Sequence, residues 1–179
     1  MSGSAPHDGA VHPDPILTPA ARALLVSARR GVLATVGPDG LPRLVPVCYA
    51  LAADEATPGR LILYTPLDEK RKRVTDPHLL GRVRDLIARP EVTLLVDRWD
   101  EDWRRLAWLR LEGTAVLLEP AGDARPEHAA AVAALRAKYP QYARQDLEAR
   151  PVIRVAVSGV LGWQAPEERG GSDTSGALA

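Results

Sequence analysis

The chain has 179 residues and a formal net charge of zero at pH 7, with no phenylalanine and a single cysteine, Cys48. That length accommodates one domain with a sizeable core. The balanced charge excludes the overall basic field of a non-specific nucleic-acid binder. One cysteine excludes an internal disulfide, and no C-x-x-C pair is present for zinc or thiol redox work. No apolar run approaches the roughly 18 to 20 residues that cross a bilayer, and the first 15 residues have no signal-peptide pattern. The expectation is a soluble cytoplasmic protein with no nucleic-acid, membrane or metal partner. Basic charge is carried by 20 arginines and three lysines, so the pair Lys70 and Lys72 marks a place to inspect.

Residues 1–15 are polar and rich in Gly, Pro and His, and residues 165–179 are rich in Gly and Ser. Both read as disordered tails around one domain, 16–164. Within it Thr18 is placed to cap a first helix, with Pro19 at its first position and Leu24 and Leu25 on its apolar side. Gly31 is expected to end that helix. Val32 to Val36 and Leu41 to Leu51 flank Gly37-Pro38-Asp39-Gly40, a hairpin signal. Pro42 and Pro46 lie on one side of the second run, which predicts an edge or a bulged, ligand-facing stretch rather than a central strand. A third strand is expected over 60–65, then a helix over 76–88 carrying Val83, Leu86 and Ile87 at helical spacing. Further strands are expected over 92–96, 104–118 and 151–163, with an alanine-rich helix over 126–139. His128 reads as helix surface and Cys48 as a small packing residue. The sum predicts an α+β domain: about six antiparallel strands in hairpins forming a barrel, with three flanking helices.

The chemistry concentrates in Tyr64-Thr65-Pro66-Leu67-Asp68-Glu69-Lys70-Arg71-Lys72-Arg73-Val74-Thr75. Four consecutive cations repel one another unless an anion neutralises them. Between a strand end and a helix start they suit a phosphate, with Thr75 and the helix N–H groups as further donors. A solvated basic loop is the competing reading of the charge pattern. Trp99, Trp103 and Trp108 are interleaved with acids and arginines, as at interfaces and ligand walls. Asp100 and Asp102 are expected to pair with Arg104, Arg105 or the basic helix.

The order Tyr64-Thr65 followed by Lys70-Arg71 resembles the pyridoxamine 5'-phosphate oxidase superfamily. Arg43-Leu44-Val45-Pro46-Val47 is similar to that family's strand beside the flavin ring, and Arg89-Pro90-Glu91-Val92-Thr93-Leu94-Leu95-Val96 to a second strand. Cys48 stands where those oxidases have lysine. Lys70-Arg71-Lys72, the helix Arg82-Val83-Arg84-Asp85-Leu86 and the loop Asp97 to Trp103 resemble instead the branch of coenzyme F420-dependent oxidoreductases. The resemblance implies a six-stranded antiparallel split β-barrel of the FMN-binding type. It implies a homodimer with the cofactor site between subunits, and a small-molecule substrate. Lys70, Lys72, Arg73, Arg71, Thr65, Tyr64 and Thr75 would grip the cofactor phosphate. Arg43, Val45, Pro46 and Val47 would line its ring and chain, and Trp103 would close the site.

The implied activity is hydride transfer between coenzyme F420 and an unidentified organic molecule. An FMN-dependent oxidase or reductase, or a non-catalytic flavin or deazaflavin carrier, remains as an alternative. The residues name no catalytic acid or base.

Overall fold

The computed structural model describes residues 17–53, 60–67 and 76–166. The segments 1–16, 54–59, 68–75 and 167–179, which include the expected N-terminal tail, the basic turn and most of the expected C-terminal tail, lie outside the described residues. Of that second tail Ala165 is buried, and its N–H donates to the Leu106 carbonyl at 2.9 Å. Helix α1 spans Pro19–Ser27, and Thr18 caps it by accepting from the Ala21 N–H at 3.2 Å. It ends earlier than expected: Ala28 is already extended, and Gly31 opens the first strand instead of closing the helix. Strands β1, Gly31–Val36, and β2, Pro42–Val47, form the expected hairpin. Gly40 takes a φ of 78° in its turn, a left-handed conformation that favours glycine.

The expected single strand over 41–51 is two. After Val47 the chain breaks at Cys48 and Tyr49 and restarts as β3, Ala50–Ala53. Strand β4, Leu61–Pro66, β5, Glu91–Arg98, β6, Ala107–Leu118, and β7, Val152–Gln164, complete the sheet. All seven strands pair antiparallel in the order β2-β1-β5-β6-β7-β4-β3. Among the described residues the count is therefore seven rather than six, and hydrogen bonds there do not close the sheet into a barrel.

Its shape follows from that order. Strands β2 and β3 are opposite edges, and a flat seven-stranded sheet would hold its edges about 29 Å apart. Two linking residues let Val47 and Ala50 lie no more than about 11 Å apart. The sheet must roll until its edges approach at the Cys48-Tyr49 corner, leaving a split between them.

The roll has an inner and an outer packing layer. Inside, Leu33, Leu63, Leu94, Leu111, Ile153 and their neighbours meet Leu24 and Leu25 of α1. Helix α2, Gly81–Ala88, adds Val83 and Leu86. Outside, α3, Arg125–Lys138, lays Ala131, Val132 and Leu135 over Ala50, Ile62, Tyr64, Val152 and Ala156. Each large side chain buried this way contributes about 1.5–3 kcal/mol. The expected helix over 76–88 is divided: a single turn of 3-10 helix, Pro77–Leu79, precedes an extended Leu80, and only then does α2 begin. Asp76 caps the short turn through the His78 N–H, so its hydrogen bonds are complete before α2 starts.

Candidate functional site

Alternation along β2 places Arg43, Val45 and Val47 on its inner side and Pro42, Leu44 and Pro46 on its outer side. Val47 is buried in the core and Val45 packs against it, while Arg43, near the open end, stays 44% exposed. The Arg43 guanidinium donates through Nη1 to Asp85 Oδ1 at 3.1 Å, and its Nη2 lies 3.6 Å from Asp39 Oδ2. Asp85 is buried, and its other oxygen accepts from the Thr35 hydroxyl at 2.9 Å. A buried carboxylate on α2 thus fixes an arginine on the sheet edge. Gly37 makes room for it, since a Cβ there would come within 2.7 Å of the Arg43 guanidinium carbon.

Beside this tie lies a groove of about 180 Å³ lined by Thr35, Arg43, Leu44, Val45, Leu80, Gly81 and Arg82. The break at Leu80 that divides the expected helix therefore forms one wall. The open edge of β2 forms the other. Pro42 and Pro46 oppose Val36 and Val32 in register, so the N–H groups they lack are on the unpaired side. Between them Leu44 keeps the one outward N–H. Thr35 and Asp85 were not singled out from the sequence, although one acid in the basic run Arg82-Val83-Arg84-Asp85 is a signal for a buried partner.

Other expected site residues are placed differently. Thr65 is buried near the end of β4. Tyr64, its neighbour, is buried beneath α3 and donates its hydroxyl to Glu127 at 2.9 Å, where Arg154 also binds at 2.7 Å. Trp103 begins a 3-10 turn between β5 and β6 and is 72% exposed, away from the Arg43 groove. In that connection the acids pair as expected. Asp102 accepts from Arg104 Nε at 2.9 Å, which holds its carboxyl below the usual range, and Asp100 pairs with Arg105 at 3.1 Å. Lys70, Arg71, Lys72, Arg73 and Thr75 lie outside the described residues. Close to them in sequence, His78 bonds Glu119 at 2.9 Å and Asp76 at 3.0 Å. Both partners favour its charged form, Glu119 foremost, and raise its pKa.

His128 is buried rather than on the surface, and its Nε2–H donates to the Arg150 carbonyl at 2.7 Å. Near it in chain order, the end of α3 clamps the sheet corner. The Tyr139 hydroxyl accepts from the Tyr49 N–H at 3.0 Å and donates to the Tyr49 carbonyl at 2.9 Å. Tyr49 donates its own hydroxyl to the Leu25 carbonyl at 2.7 Å. Lys138 Nζ lies 3.8 Å from the centre of the Tyr49 ring and 3.3 Å from the same carbonyl. Burial, aided by the nearby Arg29 charge, lowers the Lys138 pKa to about 8.

The folded chain accordingly releases this proton earlier than the unfolded chain, whose lysine titrates near 10.4. Stability from this group is expected to rise as pH climbs from about 8 toward that value. The Tyr49 and Tyr139 phenols are both shifted upward by burial and act in the opposite sense only at higher pH. Acylation of Lys138 by a brief pulse of anhydride, read by peptide mass, should show a midpoint near pH 8. A midpoint above pH 10, as for a solvated lysine, would contradict that burial.

Among the described residues no group of three His, Cys, Asp or Glu side chains is arranged to hold a metal. No described helix is long and apolar enough to cross a membrane. An antiparallel sheet rolled on itself, split at its edges and flanked by three helices, defines the split-barrel class. The chain belongs to the pyridoxamine 5'-phosphate oxidase family, whose sequence model matches residues 17–164.

Similar solved structures include the conserved hypothetical protein Rv2991 from Mycobacterium tuberculosis, at a TM-score of 0.60 and 21% identity over 90% of this chain and 97% of that one. A heme binding protein from Mycobacterium smegmatis gives 0.59 and 23%, over 84% of this chain and 56% of that one. An F420 reductase gives 0.50 and 22%, over 78% and 94%. At these identities the likeness establishes the fold. No curated protein matches the chain in sequence.

Proposed function

We propose that this chain is an oxidoreductase that binds coenzyme F420 and transfers hydride between it and a small organic substrate. The observation that carries the reading is the edge strand β2, which sets a fixed arginine beside an open groove in a chain of this family. The groove suits part of a phosphorylated cofactor: it offers the Arg43 cation, the Leu44 N–H and a row of edge carbonyls. It is too small to enclose a deazaflavin, which agrees with a site completed by a second copy. Its motifs, Lys70-Arg71-Lys72 above all, favour the deazaflavin branch, as does the fold likeness to an F420 reductase.

Bound coenzyme F420 supplies a two-electron hydride carrier. The chain's own residues bind and orient it: Lys70, Lys72 and Arg73 hold the phosphate, with Arg71, Thr75 and Thr65 beside them. Tyr64 braces the strand end through Glu127. Arg43 would meet the polyol chain or the substrate, Val45 and Val47 would lie beside the ring, and the edge carbonyl of Pro46 would be available to it. Both Asp85 oxygens are engaged, so Asp85 positions Arg43 rather than exchanging protons.

A homodimer is part of the same proposal. On the outer face, Pro46, Val32, Leu95, Arg110 and Leu161 form one row across β2, β1, β5, β6 and β7. Leu95, Leu161 and the nearby Leu44 are exposed there, beyond the area that α3 covers. A second copy would bury them and bring Trp103 toward the partner's groove.

Titration of the apo protein with coenzyme F420 and with FMN, followed by tryptophan quenching, tests the reading. Micromolar or tighter binding of coenzyme F420, with weaker FMN, is expected. A purified protein that is yellow and retains FMN would support the alternative of an FMN-dependent oxidase or reductase, which the family match favours. Tight binding with no turnover of any reductant–acceptor pair would identify a cofactor carrier.

A further inference from the structure

A second cleft, of about 1010 Å³, lies between α1 and the paired ends of β5, β6 and β7, and it shares no lining residue with the Arg43 groove. Its volume reaches the upper end of the range of about 300–1,000 Å³ usual for small-molecule sites. One feature of the sequence creates it: the facing wall of α1 is alanine-rich, and its Ala20, Ala21 and Ala23 leave space that larger side chains would fill. Opposite, Gly162 of β7 lets the Leu109 side chain lie across the strand.

The lining is chemically one-sided. Leu17, Leu24, Leu109 and Val160 make it apolar, while Trp108 and Trp163, direct partners across β6 and β7, alternate onto the outer face and meet the cleft only at its rim. Among the described residues its only charged ones are Arg98 and Arg104. Arg104 is neutralised by Asp102, which it grips through Nε and Nη2 at 2.9 and 3.1 Å. Arg98 is not. Its Nε donates to the Arg105 carbonyl, which steadies the guanidinium, and no described carboxylate pairs with it. An exposed, uncompensated cation beside aliphatic walls selects a ligand that has a negative group on an apolar body.

We propose that this cleft binds a small amphiphilic anion, an apolar body bearing a carboxylate or sulfonate. Arg98 holds the anionic group, and the apolar body lies among Leu17, Leu24 and Leu109. The proposal does not depend on which cofactor occupies the other site.

The full chain is titrated with anilinonaphthalene sulfonate and, separately, with the neutral phenyl-naphthylamine, following probe emission excited through the tryptophans. One saturable site for the sulfonate is expected. Arg98→Ala should weaken it about tenfold or more while changing the neutral probe less than about twofold. Arg98→Lys should restore part of the loss. Ala20→Trp, at an exposed position on the α1 wall, narrows the cleft and should weaken both probes. Near-ultraviolet circular dichroism establishes that each variant is folded. Unchanged sulfonate affinity in folded Arg98→Ala would overturn the proposal. So would competitive displacement of the probe by coenzyme F420, because the cleft would then belong to the cofactor site.

Discussion

Tyr139→Phe should lower the unfolding free energy by about 2–6 kcal/mol, read as a shift in urea midpoint at constant slope. The hydroxyl it removes serves both backbone groups of Tyr49, at 3.0 and 2.9 Å, in a buried corner that no strand partner reaches. Leaving a buried N–H and a buried carbonyl unsatisfied costs about 1–3 kcal/mol each. The ring remains, so its edge-on packing against Tyr142 at 5.7 Å and the Arg29 guanidinium above it at 4.6 Å survive. The loss therefore reports the hydroxyl alone. Tyr49→Phe is expected to cost less, about 1 kcal/mol, because Lys138 still donates to the Leu25 carbonyl. A Tyr139→Phe variant no less stable than Tyr49→Phe would show that the corner is held by packing instead.

Replacing Lys70 and Lys72 together by alanine should weaken coenzyme F420 binding by about 100-fold or more. A hydrogen bond to a charged group contributes about 1.5–3 kcal/mol, which is roughly tenfold to 150-fold per lysine before any coupling between them. Arg71→Ala should do less, since in the proposed grip Arg71 stands beside the phosphate and the lysines hold it. Stability should scarcely change, because the substitutions relieve repulsion among four adjacent cations. Tryptophan quenching gives the affinity, and a urea titration of the same samples gives the control. Undiminished affinity in the double variant would remove the basic turn from the site and leave Arg43 as the cation to pursue.

Much of the framework was legible because local signals agreed with it. Thr18 and Pro19 mark the start of α1, the Gly37 to Gly40 turn marks the first hairpin, and the alternation of β6 runs unbroken from Ala107 to Val116. The pair Pro42 and Pro46 announced an edge strand correctly. What escaped is what tertiary contacts decide. Cys48 and Tyr49 continue an apolar, strand-like run, and only a tyrosine hydroxyl 90 residues away makes a corner of them. Leu80 divides a helix whose apolar spacing is continuous, because Asp76 completes a separate turn first. His128 is polar in an alanine-rich helix and looks solvent-facing until the Arg150 carbonyl supplies its partner. Within the candidate site, Arg43 was found from its strand, whereas Thr35 and Asp85 needed the packing of α2 on β1 to become visible. The phosphate grip was read from residues 70–75, and it stands as a sequence-based proposal.

The position of β7 has a consequence for how this protein comes into being. It is the last of the described strands, yet it lies between β6 and β4, and no other strand pairing joins the two parts of the sheet. During synthesis β2-β1-β5-β6 and β4-β3 therefore emerge as two ladders, each with an open edge, long before the strand that unites them. Such non-local pairing is slow, and exposed edges invite association with other chains in the meantime. A nascent chain halted before Val152 holds two half-sheets and no complete core. One carried through Gln164 can complete the whole roll by inserting a single strand.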